Sequence, residues 1–321
     1  MFRRKDCSTE QAIGSHLTFS DEDERFCTTL RELFAARLDR GPEKHHRQSR
    51  ARPVGQVNRR EGNMQLENRV AAITGGTAGI GLAIAKAFLA EGARVALMAR
   101  DEERGRRVMA DLDVGERALF VSGDATVQAD VEGFIDSAAA ELGAVDILVN
   151  NAGGASDLQP LVNVSDAEWD LVMKWNLYAT FWATRRALPA MVERGWGRVI
   201  NVSSVEGKHG KPVFTAYTAA KHAINGMTKS VAREVGTAGV TVNAICPGLV
   251  ITDIVRRTGP ATAEAMGMTF DEMVGVFSKE AAIERPVTVE EVAAVALLLA
   301  SQAGSGISGA LISVDGGTAQ Y

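Results

Sequence analysis

From residue 68 onward, short apolar runs alternate with longer segments of helical hydrophobic spacing, and this alternation restricts the fold more than any other feature. Several runs are apolar at every position, which is typical of strands buried on both faces. Strands that alternate with crossover helices form a parallel sheet covered on both sides. The predicted strands are Val70–Thr74, Arg94–Ala99, Ala118–Ser122, Ile147–Asn150, Arg198–Val202, Thr241–Ile245 and Leu311–Val314, with crossover helices such as Ile80–Glu91 and Val131–Leu142.

Because parallel crossovers are right-handed, the predicted fold is α/β: a Rossmann-like, doubly wound, mostly seven-stranded parallel sheet with helices on both faces. This single catalytic domain is expected to span residues 64–321, behind an N-terminal extension of residues 1–63. Ligands of such sheets bind at the carboxyl ends of the strands.

The extension, residues 1–63, is expected to be largely unstructured, since the composition of its basic stretch 44–53 is typical of a solvated segment. A helix over 21–40 is the exception that the pattern allows. Ser20 is a good N-cap and Gly41 a good stop. Apolar residues at helical spacing lie between them, at Phe26, Leu30, Leu33, Phe34 and Leu38.

A competing hypothesis is that the extension is not translated. Residues 59–62 can be encoded by a purine-rich run that resembles a bacterial ribosome-binding site, just ahead of Met64. We therefore expect the native protein to start at Met64. The intact mass of protein expressed from its own upstream DNA tests this expectation.

Composition narrows the function classes. The net charge of −5 favours no nucleic-acid partner, and no apolar run reaches the roughly 18 residues of a membrane span. Cys7, Cys27 and Cys246 are widely spaced without a CxxC motif. Neither a metal site nor a disulfide framework is therefore expected, and a cytoplasmic location fits best.

A glycine-rich turn follows the first predicted strand, in the sequence Thr74-Gly75-Gly76-Thr77-Ala78-Gly79-Ile80-Gly81. Glycines let a backbone approach a pyrophosphate closely, and the next helix offers free N–H groups. The spacing is GxxxGxG and not GxGxxG. By itself, such a turn also occurs in α/β proteins that bind no dinucleotide.

The second predicted strand ends at Ala99, followed by Arg100 and Asp101. An acidic residue at this tip binds the ribose hydroxyls of NAD, whereas arginine pairs with the 2′-phosphate of NADP. With Ala99 at the tip, NADP(H) is the preferred cofactor. If Asp101 occupies the tip instead, NAD(H) is favoured.

Tyr217 and Lys221 stand four residues apart in a helical segment, so they share one helix face. A nearby ammonium favours the phenolate and lowers the tyrosine pKa, which suits acid/base catalysis. Ser204 follows a predicted strand and could orient a substrate oxygen, with Ser203 as its rival.

These motifs together resemble the short-chain dehydrogenase/reductase family over nearly all of residues 66–321. The short sequences 219–222, 243–248 and 317–320 are similar to those of 3-hydroxybutyrate dehydrogenases and of 3-oxoacyl or polyketide ketoreductases. The family's ordered motifs match the glycine turn 74–81, the NNAG sequence 150–153, Asn176, Ser204, Tyr217 with Lys221, the PG turn 247–248 with Thr252, and the VDGG sequence 314–317.

The resemblance implies a catalytic set and a cofactor site. Tyr217 is implied as the general acid and base, Lys221 as its tuning group and a ribose ligand, and Ser204 as the group that fixes the carbonyl oxygen. Asn176 is implied to hold a proton-relay water. The implied cofactor-binding residues are Gly75, Thr77, Gly79, Ile80, Gly81, Arg100, Asp124, Ala125, Asn151, Gly153, Tyr217, Lys221, Pro247, Gly248, Val250 and Thr252.

The substrate pocket is expected to be closed by residues 251–285. Their apolar side chains form either a mobile lid or ordinary helix packing, and the candidates are Met266, Met268, Phe270, Met273, Val276 and Phe277. The loop after Ser204 could line the mouth through Glu206, Lys208, His209 and Lys211. Of these, His209 fits a solvated loop residue better than a ligand.

The predicted function is an NADP(H)-dependent reductase or dehydrogenase that interconverts a ketone and a secondary alcohol. The substrate is expected to be a 3-oxoacyl, polyketide-like or cyclic ketone, carrier-bound acyl chains included. The alternatives are an NAD-dependent 3-hydroxy-acid or secondary-alcohol dehydrogenase, and a non-catalytic dinucleotide-sensing or scaffold protein. A homo-tetramer is expected from the resemblance, with the stretch 306–321 at an interface.

Overall fold

A computed structural model describes residues 64–155 and 158–319. The chain divides into two units, residues 1–59 and 60–321, and the described residues all belong to the second. The helix predicted over 21–40 lies outside the described residues.

The described chain alternates strands and helices, as the hydrophobic pattern predicts. The strands are β1 (Val70–Thr74), β2 (Arg94–Ala99), β3 (Ala118–Ser122), β4 (Ile147–Asn150), β5 (Gly197–Val202), β6 (Val240–Pro247) and β7 (Leu311–Val314). The α-helices are α1 (Gly79–Ala90), α2 (Glu102–Leu112), α3 (Gln128–Leu142), α4 (Asp166–Met173), α5 (Ala179–Glu193), α6 (Thr215–Val235), α7 (Asp253–Ala265), α8 (Phe270–Ser278) and α9 (Val289–Ala300). A π-helix, Lys174–Tyr178, joins α4 to α5.

The seven strands form one parallel sheet in the order β3-β2-β1-β4-β5-β6-β7. The predicted Rossmann-like sheet is therefore confirmed. The largest difference is at β6, which extends two residues beyond its predicted end because Cys246 and Pro247 pair with Ser313 and Val314 of β7. The strand order reverses between β1 and β4, and a ligand crevice is expected at this switch point.

Side chains of each central strand alternate between two cores, one on each face of the sheet. In β4, Ile147 and Val149 pack in the core that contains Phe88 of α1, whereas Leu148 packs in the core that contains Phe134 of α3. Helix α9 covers the first face through Val292, and helix α5 covers the second. Burial on both faces explains why these strands read as continuous apolar runs.

Candidate active site

The turn between β1 and α1 requires glycine at two positions, because Gly75 and Gly79 have φ angles of +65° and +51°. A Cβ at Gly79 would lie 3.1 Å from Thr252 Cγ2, and one at Gly75 would lie 2.9 Å from Asn151 Nδ2. Gly81 lies behind the turn, where a Cβ would come within 2.3 Å of the Gly75 carbonyl oxygen. The first two glycines keep a cleft open, and the third lets α1 pack against the turn.

The N-terminal end of α1 borders this cleft, since Ala78, Gly79 and Ile80 line it together with Thr77. No side chain caps this end of the helix. Uncapped N–H groups and the positive end of the helix dipole attract phosphate groups. The turn therefore fits the pyrophosphate of a dinucleotide in both shape and charge.

Asn151 braces the same turn from the end of β4. Its Nδ2 donates hydrogen bonds to the carbonyl oxygens of Thr74 and Gly75, at 3.0 and 2.9 Å. Its main-chain N–H donates to the Thr74 hydroxyl at 3.0 Å. Asn151 thus fixes the two adjacent strand ends on either side of the switch point.

Arg100 follows the tip of β2, and Ala99 is the last residue of that strand. Asp101 is the N-cap of α2, where its carboxylate accepts the Arg104 N–H at 2.9 Å. The Arg100 side chain is 65% exposed and lies 3.9 Å from the Asp124 carboxylate. The Arg100 guanidinium therefore has room to reorient toward a ligand, while the Asp101 carboxylate is engaged by the helix.

Tyr217 and Lys221 lie on consecutive turns of α6, and both line the cleft. Lys221 is buried, and its Nζ donates a hydrogen bond of 2.9 Å to the carbonyl oxygen of Val202 at the end of β5. The distance from this Nζ to the centroid of the Tyr217 ring is 5.4 Å. The helix and the strand together hold the amine beside the phenol.

Two opposite pKa shifts mark this pair. Burial lowers the pKa of Lys221 to about 8, because the charged ammonium loses water. Burial raises the pKa of Tyr217, the negative charge of Glu206 raises it further, and a hydrogen bond with Ser204 acts in the opposite sense. The protein groups alone therefore do not produce the lowered tyrosine pKa that the sequence predicts from the neighbouring lysine.

The two candidate serines after β5 have different surroundings. The Ser203 hydroxyl donates its proton to the Lys221 carbonyl oxygen at 3.3 Å, so this proton is not free to bind a substrate oxygen. The Ser204 hydroxyl donates to the Glu206 carboxylate, accepts the Glu206 N–H at 3.2 Å, and also interacts with Tyr217. Of the two serines, Ser204 is the one beside the phenol.

Asn176 lies in the π-helix and is fully buried. Its Nδ2 donates to the carbonyl oxygens of Gly154 and Val172, both at 2.9 Å, and its Oδ1 accepts the Gly154 N–H at 3.1 Å. A Cβ on Gly153 would lie 2.4 Å from Asn176 Oδ1 and 3.5 Å from Lys221 Nζ. Asn176 therefore clamps the loop that passes the buried lysine, a role that the sequence does not suggest.

The segment after β6 forms the opposite wall of the cleft. The Gly248 N–H donates to the Val314 carbonyl oxygen at 3.0 Å, and a Cβ at Gly248 would lie 2.9 Å from the Asp315 backbone. Val250 forms an isolated bridge with Val287, and Thr252 precedes α7. The close packing at Gly248 thus positions the chain that leads into α7.

Helices α7 and α8 cover one side of the cleft, in the segment predicted to close the pocket. Met273 and Phe277 line the cleft, whereas Met266 and Val276 are exposed, so only part of the predicted apolar set faces the site. Lys211, in the loop that precedes α6, contacts this segment. Its Nζ lies 3.0 and 3.1 Å from the two Glu280 carboxylate oxygens and 3.5 Å from the centroid of the Phe277 ring.

The cleft has a volume of about 530 Å³ and brings most of the predicted site residues together. Four of them are not among the described residues that line it, namely Gly81, Asp124, Ala125 and Asn176. Gly123 lines the cleft in place of Asp124. Gly123 directly follows β3, so it could have been predicted from the tendency of ligands to bind at the carboxyl ends of the strands. The lining residues that no sequence motif identified include Arg104, Phe214 and Leu249.

Within residues 64–155 and 158–319, no group of three or more His, Cys, Asp or Glu side chains could hold a metal ion. In the same part of the chain, no helix is both long enough and apolar enough to cross a membrane.

Comparison with known proteins identifies the family. The model of the short chain dehydrogenase family matches residues 69–263. The chain is 38% identical over 257 residues to a D-beta-hydroxybutyrate dehydrogenase of Rhizobium meliloti (strain 1021), which covers 78% of this chain and 99% of the relative. It is 36% identical over 263 residues to a 3-oxoacyl-(acyl-carrier-protein) reductase of Chlamydia muridarum (strain MoPn / Nigg), covering 80% of this chain and 100% of the relative.

A solved structure of actinorhodin polyketide ketoreductase with NADPH has the same fold. Its TM-score to this chain is 0.75 at 33% sequence identity, covering 79% of this chain and 98% of that one. The matched motifs, the sheet order and these relatives agree. The chain belongs to the short-chain dehydrogenase/reductase family of NAD(P)-binding oxidoreductases that act on hydroxyl and keto groups.

Proposed function

We propose that this chain reduces a ketone to a secondary alcohol with NADPH, and that Tyr217 is the group that protonates the carbonyl oxygen. The observation that carries the proposal is the convergence of Tyr217, Ser204 and Lys221 in the same cleft as the glycine turn. A phenol, a hydroxyl and a buried amine beside a phosphate-binding turn suit hydride transfer coupled to proton transfer.

The residues of the cleft fit a dinucleotide. Gly75, Thr77, Gly79 and Ile80 would hold its pyrophosphate, because the two left-handed glycines and the uncapped helix end leave room and N–H groups there. When bound, the nicotinamide supplies or accepts the hydride. Asn151, Gly153 and Lys221 would lie along its ribose, and Pro247, Gly248, Val250 and Thr252 along the nicotinamide side.

NADP(H) is the proposed cofactor because Arg100 is exposed at the tip of β2 and lines the cleft. A guanidinium there can pair with a 2′-phosphate. Asp101 also lines the cleft, which favours the alternative of NAD(H). Its carboxylate already accepts the Arg104 N–H as a helix cap, and this engagement weighs against that alternative.

In the proposed proton chemistry, protein side chains exchange the proton with the substrate. Tyr217 donates its phenolic proton to the carbonyl oxygen during reduction and withdraws it during oxidation. Ser204 donates a second hydrogen bond to the same oxygen after leaving Glu206. Lys221 holds its charge beside the phenol. Asn176 fixes the neighbouring loop and is proposed to hold a water that relays protons past Lys221 to the solvent.

The positive charge of an oxidised nicotinamide has a further part in this proposal. Burial and Glu206 keep the Tyr217 phenol protonated in the protein alone. A cation brought next to the phenol would lower its pKa again. Without an oxidised nicotinamide, the phenol of Tyr217 therefore carries the proton that reduction of a ketone requires.

The proposed substrates are 3-oxoacyl, polyketide-like or cyclic ketones, carrier-bound acyl chains included. Apolar side chains line the cleft near the catalytic side, among them Leu158, Phe214, Met273 and Phe277. Reductases of such ketones are among the relatives. A panel of β-keto esters, β-keto thioesters and polycyclic ketones, with NADPH consumption recorded, tests the proposal; consumption with none of them would contradict it.

A homo-tetramer is proposed from the family resemblance. Strand β7 is one of the two edge strands of the sheet and is only partly buried in the single chain, as an interface strand would be. Light scattering tests this assembly, and a monomer at micromolar concentration would contradict it.

A further inference from the structure

Glu206 places a carboxylate in the catalytic part of the cleft. It is half-buried in the one-turn helix Val205–Gly207 that follows β5, and it lines the cleft. Its Oε2 accepts a hydrogen bond from the Ser204 hydroxyl, and its N–H donates to the same hydroxyl oxygen at 3.2 Å. Any substrate oxygen that Ser204 holds must therefore lie close to a negative charge.

The cations near Glu206 leave this carboxylate without an ion pair, although its charge reaches the buried Lys221 ammonium and raises the pKa of that lysine. In the described part of the chain, no lysine or arginine forms an ion pair with Glu206. Lys211 is paired with Glu280, and Lys221 donates to the Val202 carbonyl oxygen. Arg257 also lines the cleft, but it is exposed on α7.

The remaining arginines that line the cleft belong to its cofactor end. Arg100 lies 3.9 Å from Asp124, and Arg104 lies 3.7 Å from Asp253 and 3.8 Å from Asp101. Both arginines therefore already form ion pairs with carboxylates other than Glu206. The immediate surroundings of Ser204 and Tyr217 thus contain a carboxylate without an ion-pair partner.

We propose that Glu206 makes the active site reject substrates that carry a carboxylate next to the reacting carbon, and select ketones whose neighbouring group is neutral. A carboxylate one or two bonds from the reacting carbonyl would meet a like charge in a partly desolvated cleft. A neutral ester, thioester or hydroxyl meets no such repulsion, and a hydroxyl can donate to Glu206. The inference rests on the proposed function, because it takes Ser204 and Tyr217 as the groups that hold the reacting oxygen.

The inference separates this chain from one of its relatives. The relative named D-beta-hydroxybutyrate dehydrogenase acts, by its name, on a hydroxy acid. A free 3-oxo or 3-hydroxy acid is the substrate type that Glu206 disfavours. The neutral thioester of a carrier-bound acyl chain, or a cyclic hydroxyketone, is the type that it permits.

Acetoacetate and methyl acetoacetate test this inference, because they share one reacting ketone and differ in the charge beside it. The kcat/KM of each is measured with NADPH for the wild-type chain, for Glu206→Gln and for Glu264→Gln. Glu206→Gln removes the negative charge and keeps the shape. Glu264 is an exposed residue of α7 that does not line the cleft, so its substitution controls for loss of one negative charge.

We expect the wild-type chain to prefer the ester by at least about 100-fold, and Glu206→Gln to reduce this preference at least about tenfold by raising kcat/KM for the acid. Glu264→Gln should leave the preference unchanged. Equal use of acid and ester by the wild-type chain would overturn the inference while leaving the reductase in place, and this comparison requires no variant to fold. An unchanged preference in a folded Glu206→Gln protein would overturn it as well. Failure to reduce any ketone would overturn the proposed function and the inference with it.

Discussion

Lys221 donates a 2.9 Å hydrogen bond from its ammonium to the main-chain oxygen of Val202, and so ties the face of α6 that carries Tyr217 and Lys221 to the end of β5. The lysine is 4% exposed, and this burial lowers its pKa to about 8. A buried amine held by a strand end cannot drift away from the phenol one turn earlier. The bond therefore fixes the amine at the place where the proposed mechanism needs it.

Lys221→Ala is expected to lower kcat at least about 100-fold, because the phenol loses its neighbouring charge and the cofactor loses its proposed ribose ligand. Lys229→Ala is the matched control, since Lys229 is exposed on the same helix. Steady-state reduction of a ketone with NADPH measures both variants. Equal losses in the two variants would show that the effect comes from the helix and not from the buried amine.

The pH dependence of alcohol oxidation is expected to shift in Glu206→Gln. The negative charge of Glu206 raises the pKa of Tyr217, so removing that charge lowers this pKa. Oxidation needs the deprotonated phenol, and its rising limb should therefore move to lower pH by at least about half a unit. The pKa of Lys221 also falls when Glu206 is neutralised, and earlier loss of the ammonium opposes this shift, but Glu206 is the smallest of the influences on the Lys221 pKa. A shift to higher pH would contradict this reasoning.

Arg100→Ala is expected to weaken NADPH binding about tenfold to 100-fold and to leave NADH binding nearly unchanged. The reason is the loss of one charge-assisted contact to the 2′-phosphate. Arg107→Ala serves as control, because Arg107 is exposed on α2 and does not line the cleft. Fluorescence titration with both cofactors measures the effect. Tighter binding of NADH than NADPH to the wild-type chain would contradict the cofactor assignment.

Asn176→Ala is expected to destabilise the fold by about 1–3 kcal/mol, because it removes three hydrogen bonds that a buried side chain makes to main-chain groups of Gly154 and Val172. Denaturant unfolding measures this change in the free energy of unfolding. A loss of activity with unchanged stability would instead favour a role in proton relay over the role of a clamp.

The sheet could be predicted from the sequence because its strands are buried on both faces. Val70–Thr74 is buried at every position, so its apolar run needs no periodicity to be recognised. The glycine turn was equally predictable, since a left-handed φ at Gly75 and Gly79 favours one residue type. The separation of four residues within one helix is enough to place Tyr217 and Lys221 on the same helix face.

Other features depend on contacts between residues far apart in the chain. Asn176 contacts Gly154 from within a π-helix, and the hydrophobic pattern carries no signal for such a turn. The upward pKa shift of Tyr217 arises from burial, which the four-residue spacing to Lys221 does not reveal. The pairing of Lys211 with Glu280 joins segments 69 residues apart.

The central claim is that the phenol of Tyr217 transfers the proton, and Tyr217→Phe tests it most directly. The variant keeps the ring that packs in the cleft and removes only the hydroxyl. With NADPH and a ketone that the wild-type chain reduces, kcat should fall by about 100-fold to 10,000-fold while the NADPH dissociation constant stays within about threefold. Turnover at the wild-type rate with unchanged cofactor binding would contradict the account.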